Sequence, residues 1–497
     1  MSLRVRWRAS LKLIGVVLKW LWVPLTAPLL LALYDGTQVV PFLAPMVVTV
    51  TVGLALERIS SNADVHVREA FLMVALTWLS VALVGSIPFA LAQNGVLAHP
   101  VNALFESMSG VTTTGATVIV DFDAHSRAIF LWRSLLQWLG GLGVLVLATA
   151  VLSRVSVGGA QLMETETQTK DVKLTPQISD TARLLWSIYI TLTALAVVVL
   201  YSLNVAGVAP EMTLFDAVAH ALTSVSTSGF SPRANSIAAF SPAVQWALVV
   251  FMVAGATSFV LIYHAATGDT KRARNSSEFR FYIGALAAFS LTAIVLLSLD
   301  AGLELSGMAT IRHAVFQVVS IVTTTGYAST DFNVWSSSAK ALLFAGMFVG
   351  GMAGSTTCSI KAVRWLVVLK SLRRNLYTSA LPDAVRPVRL GESVVAEDTI
   401  RDIYAYVLLT LVIFAAAAAF VAVDAARVAL PVSEFEAMGA AASTFLNIGP
   451  AFGLAGPLAN YESFPASTKL VMTALMWIGR IEIMPVLVLL TPTFWRS

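Results

Sequence analysis

Ten blocks of apolar residues, at about 13–34, 38–57, 69–92, 127–152, 183–206, 240–266, 281–303, 339–370, 402–424 and 466–491, are each long enough to cross a hydrocarbon core of ~30 Å. A chain with that many uniformly apolar segments cannot bury them against itself in water. Its charge content agrees: 12% of residues are charged, against roughly a quarter in a soluble domain. The sequence therefore predicts an all-α, polytopic membrane protein. The first block follows Arg4, Arg6, Arg8 and Lys12 and so has the outline of a signal peptide. It runs from Leu13 to Tyr34, beyond the roughly 7–15 residues of a signal core, and no clear small-x-small cleavage site follows. A retained first membrane helix is expected.

Four shorter blocks, near 100–114, 212–228, 309–325 and 432–448, have the length of a re-entrant half-helix rather than a span. Lysine and arginine placement supports that reading. With the N-terminus in the cytoplasm, the cytoplasmic segments receive Arg4 to Lys19, Arg58, Arg68, Arg154, Lys170, Lys173, Lys271, Arg272, Arg274, the stretch from Arg364 to Arg401, and Arg496. The opposite side receives Arg127, Arg233, Arg312, Lys340, Arg427 and Lys469. This is the positive-inside bias. It holds only if every short block enters and leaves on the outer side, since one extra span would reverse everything after it. Both termini are then cytoplasmic.

The short blocks are copies of one another. Asn102-Ala103 leads to Thr112-Thr113-Thr114-Gly115, and Asp216-Ala217 to Ser226-Thr227-Ser228-Gly229. His313-Ala314 leads to Thr323-Thr324-Thr325-Gly326, and Glu436-Ala437 to Leu446-Asn447-Ile448-Gly449, each time at the same spacing. Small hydroxylated residues beside glycine are common where membrane helices pack closely, so one match would mean little. Four in phase, each between two spans and all on one side, do not follow from packing. The expected organisation is an N-terminal helix pair (1–64) followed by four pseudo-symmetric helix–pore-hairpin–helix repeats (65–180, 181–279, 280–400 and 401–497) around one central pore.

An ion inside a bilayer needs oxygens to replace its water. Non-helical backbone at that depth is tolerated only where it lines a cavity or is buried in protein. A run ending in glycine can turn and aim carbonyls at an ion path, because glycine accepts positive φ. Four such runs around an axis form rings of carbonyl dipoles. The residues read as ion ligands are Thr112, Thr113, Gly115, Ser226, Thr227, Gly229, Thr323, Thr324, Gly326, Leu446, Asn447 and Gly449. Each preceding half-helix points its negative end at the ion. The filter runs contain no carboxylate, which argues against a divalent cation.

Two basic residues, Lys361 and Arg480, lie in or beside apolar spans, where a central charge costs about 2.5–3.5 kcal/mol on insertion scales. They either snorkel or pair with an acid, Glu482 being available to Arg480, or, for Arg480, face the path below the filter as an electrostatic barrier. The glycine-rich stretch from Gly346 to Cys358 is poorly suited to a plain helix and reads as a loop that obstructs the path. Other classes are disfavoured. One cysteine, Cys358, excludes an intramolecular disulfide, and the six histidines hold no HxxxH-type pair. No Walker or dinucleotide motif is present, and basic residues are not gathered as for nucleic acid. An intramembrane enzyme would need a catalytic constellation within the spans, whereas His264 and Asp424 stand alone near span ends. A carrier using H⁺ or Na⁺ coupling stays open as the alternative to a channel-like path.

With these motifs in place, the sequence resembles the TrkH/TrkG–KtrB–HKT superfamily of K⁺ transporters over almost its whole length, and the TrkH branch most. Beyond the four glycine runs, Trp138-Leu139-Gly140-Gly141-Leu142-Gly143, the stretch from Gly350 to Lys361, and Gly479-Arg480-Ile481-Glu482 are similar to family motifs. The extra N-terminal span pair favours the TrkH branch over KtrB. The resemblance implies K⁺ uptake through the bacterial inner membrane, K⁺ being cargo with no bound cofactor. It also implies that Gly350, Gly351, Gly354, Lys361 and Arg480 belong to a gate. It implies a homodimer docked on a cytosolic TrkA-type ring that binds NAD(H) or ATP/ADP, with the basic segment 361–401 as docking surface or as ordinary positive-inside loops. Cys358 and Ser359 stand where glycine is expected in the loop, and Leu446-Asn447 breaks the hydroxyl pattern of the fourth run.

Overall fold

A computed structural model describes residues 5, 7–59, 67–150, 178–300, 302–303 and 306–496. Arg4, Arg6, Arg154, Lys170 and Lys173, and the boundary expected at 64–65, lie outside the described residues. Helices α1 (Trp7–Lys19) and α2 (Trp22–Asp35) form one span of 29 residues, and α3 (Val40–Glu57) returns beside it. Glycines set how closely α1 and α3 approach: a Cβ on Gly15 would stand 2.8 Å from the Gly53 carbonyl oxygen. Small residues at such crossings let backbones pack without a hydrophobic driving force. The approach also brings Lys19 Nζ to 2.6 Å from Glu57 Oε2.

The rest of the chain alternates long and short helices. In order these are α4 (Val67–Gly85), α5 (Ile87–Leu91), α6 (Pro100–Val111), α7 (Arg127–Ala150), α8 (Ile178–Val205), α9 (Leu214–Val225), α10 (Pro242–Gly255) and α11 (Phe259–Ala266). They continue through α12 (Thr270–Asn275), α13 (Ser277–Ser298), α14 (Gly307–Val322), α15 (Ser337–Met347) and α16 (Ala362–Ala380). After a hairpin come α17 (Glu397–Arg427), α18 (Glu434–Phe445), α19 (Ala466–Arg480), α20 (Met484–Leu489) and α21 (Pro492–Arg496). Among the described residues six helices, some of them joined pairs, are long and apolar enough to cross a membrane, and up to seven with the bent pair α10–α11.

The short helices α6, α9, α14 and α18 have 12, 12, 16 and 12 residues. At 1.5 Å per residue that is roughly 18–24 Å, too short for a ~30 Å core. Their starts are written in the sequence. Pro100 opens α6, Thr213 accepts from the Asp216 amide, Ser306 from that of Ala309, and Ser433 with Glu436 makes a capping box.

Three of the ten apolar blocks are broken, two of them without warning from the sequence and the third, 339–370, at the glycine-rich stretch expected to form a loop. Block 240–266 bends by 106° between α10 and α11. Block 339–370 is α15, a loop over residues 348–361, and α16. Block 466–491 turns at Glu482 and Ile483, both at φ 60°. Hydropathy does not register such breaks, because the broken segments remain apolar. The β1 (Arg389–Leu390) and β2 (Ser393–Val394) hairpin joins α16 to α17 and is the one strand pair among the described residues. Its Leu390 packs with Val363, Val367, Val388, Ile400 and Ile403 in a small separate core.

Candidate functional site

Each short helix ends in the same backbone turn. Thr113, Thr227, Thr324 and Asn447 adopt φ of 55°, 49°, 53° and 56°, and the glycines two residues later, Gly115, Gly229, Gly326 and Gly449, adopt 82°, 74°, 80° and 109°. Left-handed φ is strained for a β-branched residue and persists only where surroundings enforce it. Here the enforcement is visible. The amides of Thr114 and Gly115 return to the Ser109 carbonyl (2.9 and 3.5 Å), and those of Ser228 and Gly229 to Thr223 (3.0 and 3.4 Å). Thr325 and Gly326 bond Ser320 (2.8 and 3.2 Å), and Ile448 bonds Ser443 (2.9 Å). In a planar trans peptide the carbonyl opposes the amide. The carbonyls of Thr113, Thr227, Thr324 and Asn447 therefore face away from their helices.

The four turns meet. A Cβ on Gly115 would strike the Ser228 carbonyl oxygen, one on Gly229 that of Thr325, one on Gly326 that of Ile448, and one on Gly449 that of Thr114. The contacts run from first to second, third and fourth segment and back to the first, closing a ring. All four glycines line one cavity of about 100 Å³, whose wall also includes Arg133, Arg233 and Tyr461 but no aspartate or glutamate. Thr112 and Thr114 share a hydroxyl bond of 2.7 Å, Ser226 and Ser228 one of 2.5 Å, and Thr323 and Thr325 one of 2.8 Å; Leu446 and Ile448 have none.

The ring is held from behind by residues not picked out from the sequence. Glu106, His220 and Gln317 stand at one offset before Gly115, Gly229 and Gly326, and each reaches the strand leaving its glycine. Glu106 accepts from Thr117 (2.9 Å) and the Val118 amide (2.9 Å), His220 Nε2 meets Ser231 (3.0 Å), and Gln317 donates to Ser329 (3.2 Å). That shared offset was the available signal. Buried Arg133 pairs with Glu106 at 2.7 Å, donates to the Ser231 carbonyl at 3.1 Å, and lies 3.9 Å from the Phe230 ring centre. Gln137 donates to the Ser228 carbonyl (2.7 Å) and accepts from the Phe230 amide (3.0 Å). Tyr461 donates to the Gly449 carbonyl at 2.8 Å. Glycines on neighbouring helices let the turns seat: a Cβ on Gly140, Gly255 or Gly479 would strike the carbonyl of Val111, Val225 or Phe445.

The loop from Gly350 to Lys361 lies against the opposite side of this ring, filling the break between α10 and α11. Met352 N bonds the Ala256 carbonyl (2.9 Å), Thr356 N that of Gly255 (3.2 Å), and Phe259 N that of Gly354 (3.1 Å). Thr356 Oγ1 is 3.0 Å from Thr227 Oγ1, and Cys358 N donates to Thr324 Oγ1 at 3.1 Å. Gly350 and Gly351 are needed for close approach, since a Cβ would stand 2.5 Å from the Cys358 carbonyl and 2.7 Å from that of Ala256. Ser359 takes a left-handed φ of 61° where a glycine was expected, and its hydroxyl bonds the Met347 carbonyl at 2.7 Å.

Both cations picked out from the sequence, Lys361 and Arg480, are buried and turn inward. Arg480, 2% exposed, donates to the Thr356 carbonyl (2.9 Å), Cys358 Sγ (2.8 Å) and the Gly140 carbonyl (2.9 Å). The sequence offered Glu482 as its partner. Glu482 instead pairs with Arg364 at 2.5 Å, because the turn at Glu482 and Ile483 carries its carboxylate toward α16. Lys361 is also buried rather than snorkelling, and its ammonium donates to the Thr357 carbonyl.

A family model described as TrkH, cation transport protein, matches residues 41–496. The chain is 36% identical to the Trk system potassium uptake protein TrkH of Halomonas elongata, over 99% of each. It is 33% identical to the protein of the same name from Escherichia coli K12, over 94% of this chain and 98% of that one. The crystal structure of the potassium transporter TrkH from Vibrio parahaemolyticus superposes with a TM-score of 0.87 at 32% identity, covering 99% of this chain and all of that one.

Proposed function

Because this chain belongs to the TrkH family of cation transport proteins, we propose that it takes up K⁺ across the bacterial inner membrane through a channel-like pore, with both termini cytoplasmic. The observation that carries this reading is the closed ring of four glycine contacts, Gly115, Gly229, Gly326 and Gly449, around one cavity. Peptide carbonyls from the four pseudo-symmetric segments replace the water of a dehydrated ion. The helix ends at Thr112, Ser226, Thr323 and Leu446 direct negative dipole ends at it. With no acid on the cavity wall, a singly charged ion is the better fit, and the relatives' names specify potassium.

In this reading the loop 350–361 is the gate. It hydrogen-bonds Thr227 and Thr324 directly beneath the ring. Arg480 holds it shut and opposes cations there by its charge, and Lys361 adds a second positive group. The chain works as a homodimer on a cytosolic nucleotide-binding TrkA-type ring, which supplies the force that withdraws the loop. The membrane potential, worth about 2.3 kcal/mol per charge per 100 mV, drives K⁺ inward.

The test is growth of a K⁺-uptake-deficient bacterium on low K⁺ when it expresses this chain, with Rb⁺ influx into proteoliposomes as the direct assay. Gly229→Ala, at equal membrane abundance, should abolish both. Growth and influx that survive this substitution would remove the ring from the transport path.

A further inference from the structure

Asn447 occupies the left-handed position that Thr113, Thr227 and Thr324 hold in the other three segments, yet its side chain is used differently. The hydroxyls of Thr227 and Thr324 meet the loop below. Asn447 Nδ2 instead donates sideways to Thr114 Oγ1 of the first segment (2.8 Å) and to the Met476 carbonyl on α19 (2.9 Å). Thr114 is in turn 2.7 Å from Thr112 Oγ1, which donates to the Met108 carbonyl at 2.6 Å. A continuous chain of hydrogen bonds thus crosses from α19 through the fourth segment into the first short helix.

The hydroxyl pairs of the second and third segments close within their own segments, and the fourth segment, with Leu446 and Ile448, has no pair of its own. A Cβ on Gly449 would stand 2.7 Å from the Thr114 carbonyl, and the equivalent distances at the other three junctions are shorter. Asn447 Oδ1 is buried with no hydrogen-bond partner. An orphaned buried acceptor is a cost, borne here by a residue type that takes left-handed φ more readily than leucine does. Both hydrogens of the amide are committed to protein acceptors, and a Cβ on Gly479 would stand 2.7 Å from the oxygen, which therefore sits against α19.

We propose that the Asn447 side chain is a positioning group and not an ion ligand: it fixes the spacing of the fourth segment against the first, and through that spacing the discrimination between K⁺ and Na⁺. The proposal rests on the filter reading above. Carbonyl rings distinguish the two ions by geometry and dipole field, so a slack junction admits the smaller ion.

The experiment measures the K⁺/Na⁺ permeability ratio from zero-current potentials of the full chain in planar bilayers. Asn447→Leu removes the donor. Thr114→Val removes the acceptor while keeping shape, and serves if the first variant does not fold. Thr410→Val, which deletes a buried hydroxyl bonded within α17, is the control for a lost hydroxyl. Thr114→Val should lower the ratio about fivefold, the worth of one net hydrogen bond, and Asn447→Leu, which loses both bonds of the amide, by at least as much. The double variant should fall no further than Asn447→Leu alone, because the Asn447–Thr114 bond that Thr114→Val removes is already absent there. An unchanged ratio in Thr114→Val, or a double variant equal to the product of the singles, overturns the brace. Gly115→Ala separates the two levels: if it too leaves the ratio unchanged, the filter reading has failed; if it alone alters the ratio, only the brace has.

Discussion

Arg480 Nη1 lies 2.8 Å from the sulfur of Cys358, so the guanidinium on α19 holds the loop between α15 and α16 by a side chain as well as by backbone. Its other bonds, to the Thr356 and Gly140 carbonyls, make one planar group the bridge between three separate parts of the chain. A lysine could supply the charge but not the fork.

Arg480→Ala is therefore expected to raise Rb⁺ influx into proteoliposomes about tenfold, since it deletes hydrogen bonds from a charged donor worth about 1.5–3 kcal/mol each together with the positive charge. Arg480→Lys should fall between the variant and the parent. Influx unchanged in a well-folded Arg480→Ala protein would mean that the loop is not held shut from α19.

How much of this was legible in the sequence depends on what each feature requires. The glycines at 115, 229, 326 and 449 could be read because positive φ demands glycine at a fixed offset after a short apolar block, and the turns carry it. Glu106 and Arg133 could not be paired from sequence, because they are distant along the chain and a lone acid in a half-helix has many uses. The bend at Ala256–Ser258 left no hydropathy signal, because its freed backbone groups are satisfied by Gly354, Met352 and Thr356 from another part of the chain. The Arg480–Glu482 pairing failed for a local reason: sequence neighbours at a helix end point apart once the chain turns at positive φ.

His125 makes stability depend on pH outside the membrane-spanning helices. It lies between the first glycine turn and α7, 8% exposed, with Nδ1 unpartnered. Burial, helped by the nearby Arg133 charge and opposed by Asp121, lowers its pKa from the ordinary 6.5 to about 4. Between those values the unfolded chain binds a proton that the folded chain refuses. The neutral imidazole's contribution is thus intact above pH 6.5 and is lost as pH falls toward 4. The melting temperature of the detergent-purified protein should drop across that window. His125→Gln should flatten the drop, and a parallel fall in both proteins would assign it to carboxylates instead.

The buried pair Glu106–Arg133 gives the last prediction. Their side chains are 0% and 2% exposed, and they touch at 2.7 Å. Removing one partner strands a charge in a low-dielectric interior, a loss of about 3–5 kcal/mol, whereas replacing both with apolar groups of similar size is often tolerated. Glu106→Gln should therefore cost more stability than the double change Glu106→Leu/Arg133→Leu. Transport should separate from stability, because Arg133 also holds the Ser231 carbonyl and Glu106 the Val118 amide, the strands that leave Gly229 and Gly115. The double variant is expected to regain part of the melting temperature lost in Glu106→Gln, since the Val118 amide and Ser231 carbonyl lose their partners, yet lose K⁺ over Na⁺ discrimination in zero-current measurements. A double variant that keeps its selectivity would make the pair a packing element only, with the glycine turns held by Gln137, Tyr461 and their own helices.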